Sequence, residues 1–183
     1  YGLLAGVLFV CLFLMHGALW LTIRTDGDLA GRAERLAGKL WPVLTGVAVV
    51  FLAATYIYTP LYDIYLANPV LFLVPVLAVA AIVGIRYFLM QQALFKAWLS
   101  SALTIVSCTF FGVIGLFPNM FPSSIDAKYS LTAFNASSSP LTLKIMLIVV
   151  VIFIPVVLAY QIWAYKLFSV KVTDEDLAHE ETY

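Results

Sequence analysis

Charge is what this sequence has least of. Only 11% of its 183 residues are Asp, Glu, Lys or Arg, where a soluble domain carries about 25%. Hydrophobic residues make up 63%. A folded chain of this size still exposes roughly a third of its unfolded surface, so it cannot hide that much apolar matter inside itself. A soluble globular protein is excluded, and lipid must solvate most of the chain. Ten basic residues cancel ten acidic ones, which leaves no basic field for nucleic acid. Cysteine is nearly absent. Cys11 and Cys108 form no C-x-x-C pair, which argues against a metal cluster and suits two small hydrophobes. An initial Met is also missing: Tyr1 opens directly onto an apolar run, the pattern of a piece of something longer.

What is present is length of apolar run. A helix needs about 20 apolar residues to cross the hydrocarbon core, and five stretches qualify: residues 2–23, 40–62, 69–90, 97–117 and 145–165. The first has no basic leader and is too long for the apolar part of a signal peptide, so it reads as a true span. Runs such as MLIVVVIFIP at 146–155 do not alternate, which excludes the strands of a membrane barrel. The expected fold is an all-α membrane protein of five transmembrane helices in a single domain.

Basic residues set the orientation. Arg24, Arg32, Arg35, Lys39, Arg86, Lys96, Lys166 and Lys171 fall on one side if the spans alternate, and only Lys128 and Lys144 on the other. Eight against two predicts a cytoplasmic C-terminus and an outward Tyr1. Between the first two spans, residues 24–39 are long enough for a short interfacial helix capped by Asp28. The Ser-, Pro- and Asn-rich segment 118–142 is a long loop of the kind that is functional or packed on a partner. In the acidic tail, Thr173 could cap a short helix.

Ionisable groups at membrane depth are where chemistry is expected. The spans hold no Asp or Glu and one His, His16. Pumps and cation transporters usually need buried carboxylates, and a haem held between two His would need a second intramembrane His; His179 lies in the tail. His16 is either an axial ligand or proton relay, or, more simply, a His hydrogen-bonded to a neighbouring helix; the second reading is preferred. Gly2 and Gly6 form a G-x-x-x-G pattern. Ser100, Thr104, Cys108 and Gly112 recur every four residues. Both are read as close-packing surfaces between helices rather than a substrate path. Pro75 and Pro155 predict kinks. Trp41, Tyr62, Tyr65, Trp98, Tyr160 and Trp163 near span ends suit interfacial belts. A small five-span transporter or channel is the rival reading, but no inverted repeat is visible.

Longer strings go further. Gly2-Leu3-Leu4-Ala5-Gly6, His16-Gly17-Ala18 and Arg24-Thr25-x-Gly27-x-Leu29 resemble the middle of subunit II of the cytochrome bd quinol oxidases. The loop from Gly115 to Lys144 (GLFPNMFPSSIDAKYSLTAFNASSSPLTLK) resembles that subunit's late outer loop. Pro155, Tyr160, Gln161, Trp163, Tyr165 and the acidic tail resemble its natural end. The resemblance implies the last five helices of the subunit, a four-helix bundle plus one peripheral helix, with Tyr1 at a cut edge. It implies a multi-pass subunit in a bacterial or archaeal plasma membrane. The whole complex would be an electrogenic terminal oxidase that oxidises quinol and reduces dioxygen to water. Its partners would be the missing N-terminal half and subunit I, which carries two haems b and one haem d and the quinol-oxidising loop. Some members hold a structural quinone in subunit II. The family's acidic residues for proton supply lie in the absent half. No catalytic, cofactor-binding or metal-ligating residue is therefore carried onto this chain.

Overall fold

The computed structural model describes residues 1–168 and Val170. Among these residues there are six α-helices, α1 (Gly2–Arg24), α2 (Gly27–Tyr58), α3 (Leu61–Ala67), α4 (Leu73–Met90), α5 (Leu94–Leu116) and α6 (Pro140–Leu167). A 3-10 segment, Pro69–Phe72, leads into α4, so five helical stretches are long and apolar enough to cross a membrane. The described chain divides into two units, Tyr1–Gly115 and Leu116–Val170.

In the first unit, α1, α2, α4 and α5 share one apolar core. Leu8, Leu12, Met15 and Leu19 project from α1, one every three or four residues, which is a helix's single face. They meet Ala37 and Leu44 of α2, Ile85 and Leu89 of α4 and Ala97 of α5. Small residues at Ala37 and Ala97 are fully buried, which lets the backbones close up where no hydrophobic effect drives helices together in lipid. A second cluster, Leu61, Tyr65 and Phe111, fixes the short α3 against α5.

Several expectations change. The stretch 27–39, expected as a loop with a separate helix capped by Asp28, is the first part of α2, and only Thr25 and Asp26 join it to α1. The reason is packing: Ala33 and Ala37 are buried on the same face as Leu44, so the helical period continues unbroken across the polar residues. Asp28 sits in the first turn and pairs with Arg32 at 3.1 Å. Tyr62 leaves the second span, because α2 ends at Tyr58 and α3 restarts at Leu61. Pro75 falls in the first turn of α4, where the missing N–H breaks no helical bond, so it does not interrupt the helix. Pro42 and Pro155 lie inside α2 and α6; Pro42 went unremarked in the sequence.

In the second unit, Asn119–Phe121 and Leu131–Thr132 form a two-stranded antiparallel ladder, β1 and β2. Asp126 caps the 3-10 turn Ala127–Tyr129 by accepting from the Lys128 N–H at 3.0 Å. Ser139 caps α6, its hydroxyl accepting from the Thr142 N–H at 3.3 Å. None of the residues of α6 is buried. Thr173 and its expected helix lie outside the described residues.

Candidate functional site

His16 is the one histidine that the sequence places inside a span. Its Nδ1 lies 2.8 Å from Ser101 Oγ on α5. The same serine hydroxyl donates to the Trp98 carbonyl at 2.7 Å. Having one proton to give, it can only accept from the histidine. Nδ1 is therefore the donor of this pair. The imidazole stacks on Trp98 with ring centroids 5.1 Å apart, Trp98 meets Trp20 at 5.2 Å, and the Arg24 guanidinium lies 4.4 Å over Trp20. One turn per step, α1 supplies His16, Trp20 and Arg24 to the same face. The result is an interhelical clasp.

The buried face of α5 is Ala97, Ser101, Thr104, Ser107 and Phe111. Of the four residues read as a stripe, Thr104 is on that face. Ser100 stands beside α4, where a Cβ on Gly84 would lie 3.2 Å from its Oγ, while a Cβ on Gly112 would meet nothing within 4 Å. A strict four-residue row drifts about 40° per step around a helix of 3.6 residues per turn, so a packed face alternates threes and fours. Gly2 and Gly6 are exposed, with open space at both Cβ positions. The residue that sequence reasoning missed is Ser101, signalled by the alternating three-four spacing from Ala97; Ser107, which stands alongside the four-residue row in the sequence, is on the buried face. Trp41, Trp98 and Tyr65, expected in interfacial belts, are structural. The Trp41 indole donates to the Ile82 carbonyl at 2.8 Å. Tyr65, fully buried, donates its hydroxyl to the Phe111 carbonyl at 2.7 Å. Burial, with Tyr62 adding to it, pushes the Tyr65 phenol up to about 12.

Between α1, α2, α4 and α5 lies an apolar cavity of about 170 Å³, walled by Leu8, Trp41, Thr45, Ala78, Cys108 and Phe111 among others. A more open hollow of about 410 Å³ adjoins it through Leu52, Pro75 and Val79. Cys11 and Cys108 are free thiols. Among the described residues no three His, Cys, Asp or Glu gather.

Known proteins decide what kind of chain this is. The model of the cytochrome bd terminal oxidase subunit II family matches residues 1–168. The chain belongs to that family. Its relatives include the cytochrome bd ubiquinol oxidase subunit 2 of Bacillus subtilis, 32% identical over 96% of this chain and 52% of the relative. The cytochrome bd-I ubiquinol oxidase subunit 2 of Escherichia coli K12 is 32% identical over 97% and 54%. The probable cytochrome oxidase subunit 2 of Haemophilus influenzae is 30% identical over 92% and 52%. The chain thus spans about half the length of the curated relatives it matches. The cytochrome bd family implies a haem-containing complex with a partner subunit. His16 lies with its ring face against Trp98 and does not line the cavity. That cavity is far smaller than a porphyrin, and no histidine borders it.

Proposed function

We propose that this chain is a supporting, non-haem-ligating part of a respiratory oxidase that oxidises quinol and reduces dioxygen to water. The observation that carries the reading is the subunit II match across residues 1–168. The chain's own chemistry agrees with it. The apolar stretches 2–23, 40–58, 69–90, 97–117 and 145–165 carry no carboxylate, and their one histidine is engaged with Ser101 and Trp98. Both haems b and the haem d sit in subunit I, which this chain shields from lipid. Proton-handling acids come from parts of the oxidase other than these five apolar stretches. Helices α1, α2, α4 and α5 form the second bundle of the subunit. The plasma membrane holds the complex, C-terminus inward, a reading supported by the eight-against-two split of basic residues.

The apolar cavity suits the isoprenoid tail of a structural quinone, because its wall is almost wholly hydrocarbon and aromatic. Ala78→Trp, at that wall, should lower the quinone recovered by solvent extraction without altering the haem bands.

Purification of the complex through a tag on this chain tests the main reading. Haem b and haem d bands should co-purify, together with quinol-dependent oxygen uptake. A colourless preparation that moves a solute instead would rule it out.

A further inference from the structure

Exposed cations gather at one end of the first unit. Arg32, Arg35 and Lys39 follow one another at spacings of three and four, which is one face of α2. The Gln92 side-chain amide donates to Glu34 Oε1 at 2.6 Å and holds the turn between α4 and α5 against that part of α2. The Arg86 guanidinium lies 6.0 Å from the centre of the Trp41 ring, and the Lys96 ammonium 5.9 Å from that of Phe88. All five cationic residues are exposed. Among the described residues one of them, Arg32, has an ion pair, with Asp28.

The charge on this side balances only through a segment of the chain not yet used. Five alternating spans put segments 24–39, 86–96 and 166–183 on one side. These segments hold eight Lys and Arg, and residues 24–96 of them supply three acids, Asp26, Asp28 and Glu34. Five more acids, Asp174, Glu175, Asp176, Glu180 and Glu181, fall within residues 172–183, a stretch with no Lys or Arg. With them this side carries eight charges of each sign. The opposite side balances by itself, Asp63 and Asp126 with Lys128 and Lys144. The five acids lie outside the described residues.

We propose that the chain's own acidic segment, residues 174–181, docks on the surface made by Arg32, Arg35, Lys39, Arg86 and Lys96. Its charge is opposite to that surface and similar in count. Residues 168–173 separate α6 from the first acid, and six residues reach at most about 20 Å, two helix diameters. A covalently joined segment acts at a high effective concentration, an advantage that a soluble acidic partner lacks. Each exposed pair is weak by itself, so the docked tail is a salt-sensitive latch. It covers cations that would otherwise meet anionic headgroups.

The test uses the whole complex in phosphatidylcholine nanodiscs, treated with a carbodiimide that joins a carboxylate directly to an amine in contact with it. Mass spectrometry of the tryptic peptides should find the peptide that begins at Val172 joined to Lys39 or Lys96. The yield should fall at least about fivefold between 0.01 M and 1 M salt, as the Debye length shrinks from about 30 Å to about 3 Å. The Asp126–Lys128 pair, 3.1 Å apart in the late loop, reports whether the reagent still works. Arg35→Gln combined with Arg86→Gln leaves both lysines in place. It should lower the yield about fivefold, as the loss of two exposed pairs predicts, with elution position and thermal midpoint unchanged. Links only to Lys166, Lys171 or a partner subunit would overturn the proposal. So would a yield indifferent to salt, or one equal in the folded double variant. Suppression of the link in phosphatidylglycerol nanodiscs would overturn it too, because headgroups would then hold the cations.

Discussion

At the scale of single residues, polar side chains here act as fasteners. His16 needs Ser101 because an N–H buried in a hydrocarbon setting has no water to turn to. Ser101→Ala strands that donor and should destabilise the complex by about 1–3 kcal/mol, seen as a lower thermal midpoint with unchanged haem bands. Tyr65 fastens α3 to α5 at the other end. Its phenol is raised from an ordinary 10.0 to about 12 by burial first and Tyr62 second. The folded state therefore favours the neutral phenol. That contribution is complete below pH 10 and is lost as pH rises through 12. Thermal melts across this window should fall more steeply for the wild type than for Tyr65→Phe, which also loses the bond to the Phe111 carbonyl, worth about 1 kcal/mol. Parallel pH curves would show that the phenol does not titrate with unfolding.

At the scale of elements, glycine positions separate packed seams from open faces. A Cβ on Gly115 would collide with the Leu61 side chain, which is itself only 4% exposed and has little room to move. Gly115→Ala should destabilise by about 1–3 kcal/mol through overpacking. Gly112→Ala, on the same helix with open space at its Cβ, should be neutral or stabilising by up to about 1 kcal/mol, since alanine favours helix. Chemical unfolding of the two variants side by side gives the comparison. The spans themselves were legible from the sequence, because twenty apolar residues admit few alternatives in lipid. Helix starts were less legible. Residues 27–39 look like a loop by hydropathy, yet Ala33 and Ala37 carry the helix through on packing that no hydropathy count registers. The histidine clasp was half legible: a hydrogen bond to a neighbouring helix could be expected, but not that Ser101, one residue off the four-residue row, would receive it.

At the scale of the whole molecule, the chain combines a membrane-spanning unit with an apolar core and a helix, α6, with no buried residue. Its charge lies almost wholly outside the spans. The proposed orientation puts the side with eight basic residues inward. In intact cells, a protease-sensitive tag after Tyr183 should resist external protease, and one inserted at Ser138 in the late loop should be cut. The central claim is that this chain supports redox chemistry without ligating a haem. The visible spectrum of the purified complex carrying His16→Ala tests it most directly. Haem b and haem d bands at the wild-type ratio to protein are the predicted result. Loss of one haem band from an otherwise assembled complex would contradict the claim and make His16 a ligand.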